Sequence, residues 1–168
     1  SPGAKALTPP ILGIERALTL RNVEDVDAMV AALQSETVPG TLPAEDPGVE
    51  QGSVVVIGGG FIGLEVAENM VHAGRQVALV EGTDQVMPPL DLEMVSPVHG
   101  RLRANGVDLH LGHSVTVIGE HDVTLDDGTR LPAEIVVAAI GVRPEDSLAR
   151  AAGLEVAERG GIVIDDQY

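Results

Sequence analysis

The run Val54-Val55-Val56-Ile57-Gly58-Gly59-Gly60-Phe61-Ile62-Gly63 restricts this chain more than any other segment. Ser53–Ile57 is short, apolar and β-branched, the pattern of a strand buried on both faces. Three consecutive glycines then end the strand. Beyond them Ile62, Val66, Ala67, Met70 and Val71 recur at helical spacing, and Gly74 stands where a helix C-terminal glycine belongs. A second buried strand, Gln76–Val80, closes on Glu81. Asp91 is placed to cap a helix running to about Ala104, with Met94, Val95, Val98 and Leu102 as its inner face. Asn105-Gly106 ends that helix, and Val107–Leu111 supplies a third strand. The order β-α-β-α-β calls for a parallel sheet with right-handed crossovers.

Around this centre the pattern is looser. Residues 1–21 form an irregular lead-in ending in the short extended run Ala17–Leu20, Val23–Leu33 has helical spacing, and 35–52 is a loop rich in proline, glycine and acids. From 113 onward short alternating strands take over at Ser114–Ile118, Val123–Leu125 and Arg130–Leu131, with Asp127-Gly128 as a hairpin turn. Such a meander can cover one face of the parallel sheet in place of a helix. Glu134–Ile140 is a fourth buried strand, Ser147–Ala152 a short helix and Ile162–Ile164 a last strand. The expected organisation is a lead-in over 1–52 and one α/β domain over 53–168.

The glycine turn has the context that gives such a motif chemical meaning: strand before, helix after, a second strand, and an acid at its end. Gly58 permits the tight exit from the strand, Gly60 lets the backbone approach a pyrophosphate, and Gly63 lets helix and strand pack closely. The anion would meet free N–H groups and the positive end of the helix dipole. Glu81, 18 residues beyond Gly63, is placed to accept hydrogen bonds from the adenosine ribose. A 2′-phosphate there would meet like charge, and 82–90 contains no arginine or lysine to receive it. NAD(H) is therefore expected over NADP(H). The competing readings are a purely structural glycine turn and an S-adenosylmethionine-binding fold, the latter weakened by the full three-glycine spacing.

Charge and composition exclude other classes. With 26 acidic against 10 basic residues the formal charge is −16, a field that repels nucleic acid and anionic membranes. Phe61 and Tyr168 are the only aromatics, too few for a base-stacking platform. The absence of cysteine removes disulfides and thiol nucleophiles, and the chain has no apolar run long enough to span a bilayer and no secretory start. A cytoplasmic location is expected. His110-x-x-His113 falls at a strand end, where successive side chains alternate faces, so no metal site is expected. Two residues stay open: Phe61 must pack inward or lie over a ligand, while Glu65 has the position of a solvated helix residue.

Taken together, Gly58-Gly59-Gly60-Phe61-Ile62-Gly63-Leu64-Glu65, Gly106-Val107 and Ile140-Gly141-Val142-Arg143-Pro144 resemble the flavin-dependent pyridine nucleotide–disulfide oxidoreductases. Asp84-Gln85-Val86-Met87-Pro88 followed by Asp91-Leu92-Glu93-Met94 is most similar to the branch of coenzyme A-disulfide reductases, NADH oxidases and NADH peroxidases. The resemblance implies a Rossmann-like FAD/NAD(P)-binding domain of β/β/α layering, with a central parallel sheet covered by an antiparallel meander. It gives Phe61 the place of an aromatic gate over the flavin, Glu65 that of a partner for a flavin-domain lysine, and Gly141 and Val142 that of a loop closing over the dinucleotide. Members also carry an FAD fingerprint, a redox-active cysteine and a second flavin segment, none of which is in this chain.

The expectation is thus the nicotinamide domain of a larger flavoenzyme, binding NAD(H) without turnover and without binding FAD itself. Its partners would be the FAD and dimerisation domains of the parent chain, and the parent's acceptor a small-molecule disulfide or oxygen species. A freestanding NAD-binding or redox-sensing module and a domain of a ferredoxin-reductase-type flavoenzyme are the alternatives.

Overall fold

The computed structural model describes residues 4–7, 9–34 and 52–166. In chain order the elements are β1 (Ala4–Ala6), a single 3-10 turn (Ile14–Arg16), α1 (Val23–Gln34), β2 (Ser53–Ile57), α2 (Phe61–His72), β3 (Gln76–Glu81), α3 (Leu92–Ala104), β4 (Asp108–Leu111), β5 (Val115–Ile118), β6 (Asp122–Leu125), β7 (Arg130–Pro132), β8 (Ile135–Ala138), β9 (Val142–Pro144) and α4 (Ser147–Ala151). They fall into two compact units: Thr8–Ile140, and Ser1–Leu7 with Gly141–Tyr168. Of the loop expected at 35–52, residues 35–51 lie outside the described residues.

The larger unit is built on a four-stranded parallel sheet of order β4-β3-β2-β8. All five residues of β2 are buried, because the central strand is covered on both faces. Val54 and Val56 face one side and pack with Val66, Ala67 and Met70 of α2, Val95 of α3 and Met29 of α1. Val55 and Ile57 face the other and pack with Val115, Ile118, Val123, Leu125 and Leu131 of the antiparallel sheet β5-β6-β7. Each fully buried valine or leucine here stabilises the fold by about 1.5–3 kcal/mol. The expected layering of helices, parallel sheet and meander is therefore present, and it is Rossmann-like. α2 and α3 end alike: the N–H groups of Gly74 and Arg75 return to the carbonyls of Val71 and Met70, and those of Gly106 and Val107 to Arg103 and Leu102.

Several expectations need correction. The extended run expected at Ala17–Leu20 makes a single bridge rather than a ladder. Leu18 alone bridges to Val137, donating to the Val136 carbonyl and accepting from the Ala138 N–H, both at 2.8 Å. Met94 is 64% exposed, and His99, not expected inside, occupies the inner face of α3 with Val95. In α1 Val26 and Val30 are exposed, and Met29, Ala32 and Leu33 turn inward. Asp91 holds the N-cap position of α3 but its side chain makes no capping bond.

In the smaller unit β1 pairs antiparallel with β9, a three-residue ladder set by Ala4 opposite Pro144. Lys5 and Glu145 form an ion pair, and Asp146 pairs with Arg150 at 2.9 Å along α4. The strand expected at Ile162–Ile164 reduces to a bridge between Ile162 and Val156.

Candidate dinucleotide site

The glycine turn sits at the carboxyl end of β2, between the ends of β3 and β8. Gly58 has φ +107°, and a Cβ on it would come within 2.5 Å of the Ala139 carbonyl oxygen. At Gly63 a Cβ would lie 1.9 Å from the Gly58 carbonyl oxygen, so α2 can approach the strand only with glycine there. Gly60 is different. Its φ of −75° suits any residue and a Cβ would meet nothing within 4 Å. No contact within the described protein accounts for glycine at that position.

The polar groups around the turn are already ordered. Gly58 N–H donates to the Val80 carbonyl at 2.8 Å. Gly59 N–H donates to Glu81 Oε2 at 2.7 Å, and the Gly59 carbonyl accepts from Met87 N–H at 2.8 Å. Glu81 Oε1 accepts from Thr83 N–H at 2.9 Å and lies 3.0 Å from the Thr83 hydroxyl, whose single proton it shares with the Gln85 carbonyl at 2.8 Å. Glu81 is thus a brace of the turn as well as an acid at a strand end, a role its spacing did not reveal. A carboxylate has about four acceptor positions, so hydrogen-bonding capacity remains for a ribose hydroxyl. The first bond of α2 runs from Leu64 N–H to the Gly60 carbonyl at 3.0 Å. The N–H groups of Phe61, Ile62 and Gly63 precede it and have no carbonyl one turn back to receive them. Ile62 is 40% exposed, at the open end of its stripe.

Phe61 does not pack inward: it is 71% exposed. It lies at the lip of a groove of about 430 Å³ along α2 and α3, with Leu64, Glu65, Val98, Arg101 and Leu102 among the lining residues. Glu65, one turn on from Phe61, is exposed and opens onto the same groove. The structure therefore groups Gly58, Gly60, Ile62, Gly63 and Glu81 about the turn, and Phe61 with Glu65 beside it. Gly141, with φ +98°, and Val142, half exposed, belong to the smaller unit.

The histidines divide. His110 Nε2 pairs with Asp108 at 2.8 Å, while His113 Nδ1 stands 3.1 Å from Asp126 and 3.7 Å from Asp127 in the hairpin turn. The ligand-capable atoms of His113, Asp126 and Asp127 lie within 4.8 Å of one another. These carboxyls are held below the usual range, Asp126 mainly by the His113 hydrogen bond and Asp127 mainly by the Thr129 amide. Among the described residues no helix is long and apolar enough to cross a membrane.

A four-stranded parallel sheet with helices on one face, an antiparallel sheet on the other and a glycine turn at the end of β2 defines the class as that of Rossmann-like α/β domains. Comparison with known proteins narrows it. The whole chain, residues 1–168, matches the family of the pyridine nucleotide-disulphide oxidoreductases, and it belongs to that family. It is 34% identical over 169 residues to the nitric oxide reductase FlRd-NAD(+) reductase of Aeromonas hydrophila subsp. hydrophila, covering 97% of this chain and 39% of the relative. With the rubredoxin-NAD(+) reductase of Ectopseudomonas oleovorans it shares 40% identity over 129 residues, covering 71% of this chain and 32% of the relative. Among solved structures, reduced CoADR-RHD of Bacillus anthracis superposes with a TM-score of 0.85 at 38% identity, covering 99% of this chain and 28% of that one. The chain spans about two fifths or less of these relatives.

Proposed function

We propose that this chain is the NADH-binding domain of an FAD-dependent disulfide oxidoreductase and holds nicotinamide for hydride transfer to the flavin. The observation that carries the reading is Gly60, whose missing Cβ leaves space that no described residue fills. The residues fit a dinucleotide. Phe61, Ile62 and Gly63 offer N–H groups to the pyrophosphate, helped by the positive end of α2, which offsets the acidic field. Glu81 takes the ribose hydroxyls and disfavours a 2′-phosphate, so NADH is preferred over NADPH. NADH would supply the hydride. The exposed Phe61 covers the flavin until nicotinamide arrives, and Glu65 pairs with a lysine of the flavin domain. Gly141 and Val142 are assigned to the loop over the dinucleotide on the family resemblance. The domain boundary at 52/53, the cytoplasmic location and the dimerisation domain of the parent belong to the same reading.

Alone, the chain binds NADH without FAD and without turnover. Mixing it with NADH and a small disulfide or oxygen should leave the nicotinamide absorbance unchanged, and steady NADH oxidation would contradict this.

The names of the relatives favour a second reading of the acceptor, since rubredoxin-NAD(+) reductase and the ferredoxin reductase of Rhodopseudomonas palustris, 32% identical with a TM-score of 0.82, are among them. There the parent would pass electrons to a small redox protein. The flanking coding sequence decides. A glycine-rich FAD motif with a redox cysteine supports disulfide reduction, the motif without the cysteine supports the protein acceptor, and neither supports a freestanding NAD-binding module.

A further inference from the structure

Among the described residues the buried polar side chains are those of Ser53 and His99, and His99 points at the one loop that touches both the glycine turn and Glu81. Its Nε2 lies 3.1 Å from the backbone nitrogen of Val86. An amide nitrogen can only donate, so Nε2 is the acceptor and the imidazole is neutral with its proton on Nδ1. Val86 is fully buried, and its Cγ1 packs so closely on Gly59 that a Cβ there would approach to 3.0 Å. The next residue, Met87, has φ +49° and donates to the Gly59 carbonyl. Thr83 and Gln85 tie the start of the loop to Glu81 and to the Leu90 carbonyl. Gly59 is therefore held at its N–H by Glu81 and at its carbonyl by Met87, and the segment between these two contacts is anchored from behind by α3.

We propose that His99 is a positioning residue for the dinucleotide: its Nε2 fixes Val86, and through Val86 the loop 83–90 that sets the Gly59 peptide and the Glu81 carboxylate on the adenosine-ribose side of the site. The role rests on the NADH-binding reading above. His99 touches no ligand itself. A glutamine can place its carbonyl oxygen near the position of Nε2, whereas asparagine is too short and leucine has no acceptor. A buried amide left without a partner corresponds to about tenfold or more in an equilibrium that depends on the loop.

The test uses the 168-residue chain with His99→Gln, His99→Asn and His99→Leu, read by NADH titration and by hydrogen exchange at the Val86 amide. The unsubstituted chain should bind NADH and protect Val86. His99→Leu and His99→Asn should lose that protection and bind NADH about tenfold or more weakly, while His99→Gln restores both to within about threefold. If His99→Leu does not fold, the contrast between Asn and Gln decides. Equal NADH affinity in the Asn and Gln variants, or undiminished Val86 protection without an acceptor, would overturn the proposal while leaving NADH binding intact. Failure of the unsubstituted chain to bind NADH would overturn the dinucleotide reading instead, and the positioning role with it.

Discussion

The backbone N–H of Gly59 donates to Glu81 Oε2 at 2.7 Å, joining the glycine turn to the end of the neighbouring strand. The bond braces the turn with the same carboxylate that is proposed to recognise the ribose. Replacing it therefore has two consequences. Glu81→Ala should weaken NADH binding by about tenfold or more and also lower the unfolding free energy by about 1–3 kcal/mol, since the amides of Gly59 and Thr83 lose their acceptor. Calorimetric titration and denaturant unfolding of the variant check the two effects separately. Loss of affinity at unchanged stability would show that the brace contributes nothing.

The glycines of the turn separate fold from function. Gly63→Ala places a Cβ against the Gly58 carbonyl, which is backbone and cannot swing aside, so it should cost about 1–3 kcal/mol of stability. Gly60→Ala meets open space at an unstrained φ and should change stability by less than about 0.5 kcal/mol. Only the second should lose NADH affinity with the fold intact. Thermal unfolding and NADH titration of both variants read the contrast, and an unaltered affinity in Gly60→Ala would remove the close-approach role.

Phe61 gives a complementary case. Because it is mostly exposed, Phe61→Ala removes little buried surface and should leave the unfolding midpoint nearly unchanged, within about 0.5 kcal/mol. A drop of several kcal/mol would mean that the side chain packs inward after all.

The pH dependence follows from His99. Burial, and then the Arg103 cation one turn along α3, lower its pKa from the ordinary 6.5. The unfolded chain takes up a proton as the pH falls through about 6.5, and the folded chain resists until lower pH. Stability is therefore full above that value and is lost as the pH falls from it toward the folded value. The depressed carboxyls of Asp126, Asp127 and Asp146 act in a separate window, below 3.8. Unfolding curves between pH 7 and 5 should show a decline that His99→Gln reduces; identical slopes would contradict it.

Much of this was legible in the sequence where local chemistry and burial agree. The β-branched run Ser53–Ile57 can be buried on both faces only in a covered sheet, and all five residues are. The turn Asp126–Thr129 declares itself through Asp-Gly, and Thr129 N–H donates to Asp127 at 2.8 Å. The pairing of Ala4–Ala6 with Val142–Pro144 was not legible, because two three-residue strands so far apart carry no periodic signal. Glu81 was legible as a strand-end acid but not as the partner of Gly59, which depends on how β2 and β3 align. His99 has no histidine or carboxylate at ligand spacing to mark it. Its signal lay elsewhere: with Val95 and Leu102 it continues the helical stripe of α3, a polar residue on an apolar face.

The central claim is that the turn at Gly58–Gly63, with Glu81 beside it, is a site for NADH. Calorimetric titration of the 168-residue chain with NADH and NADPH tests it most directly. The account predicts saturable binding of NADH, with NADPH weaker by about tenfold through repulsion between its 2′-phosphate and the Glu81 carboxylate. No saturation with NADH at millimolar concentration, or tighter binding of NADPH, would contradict it.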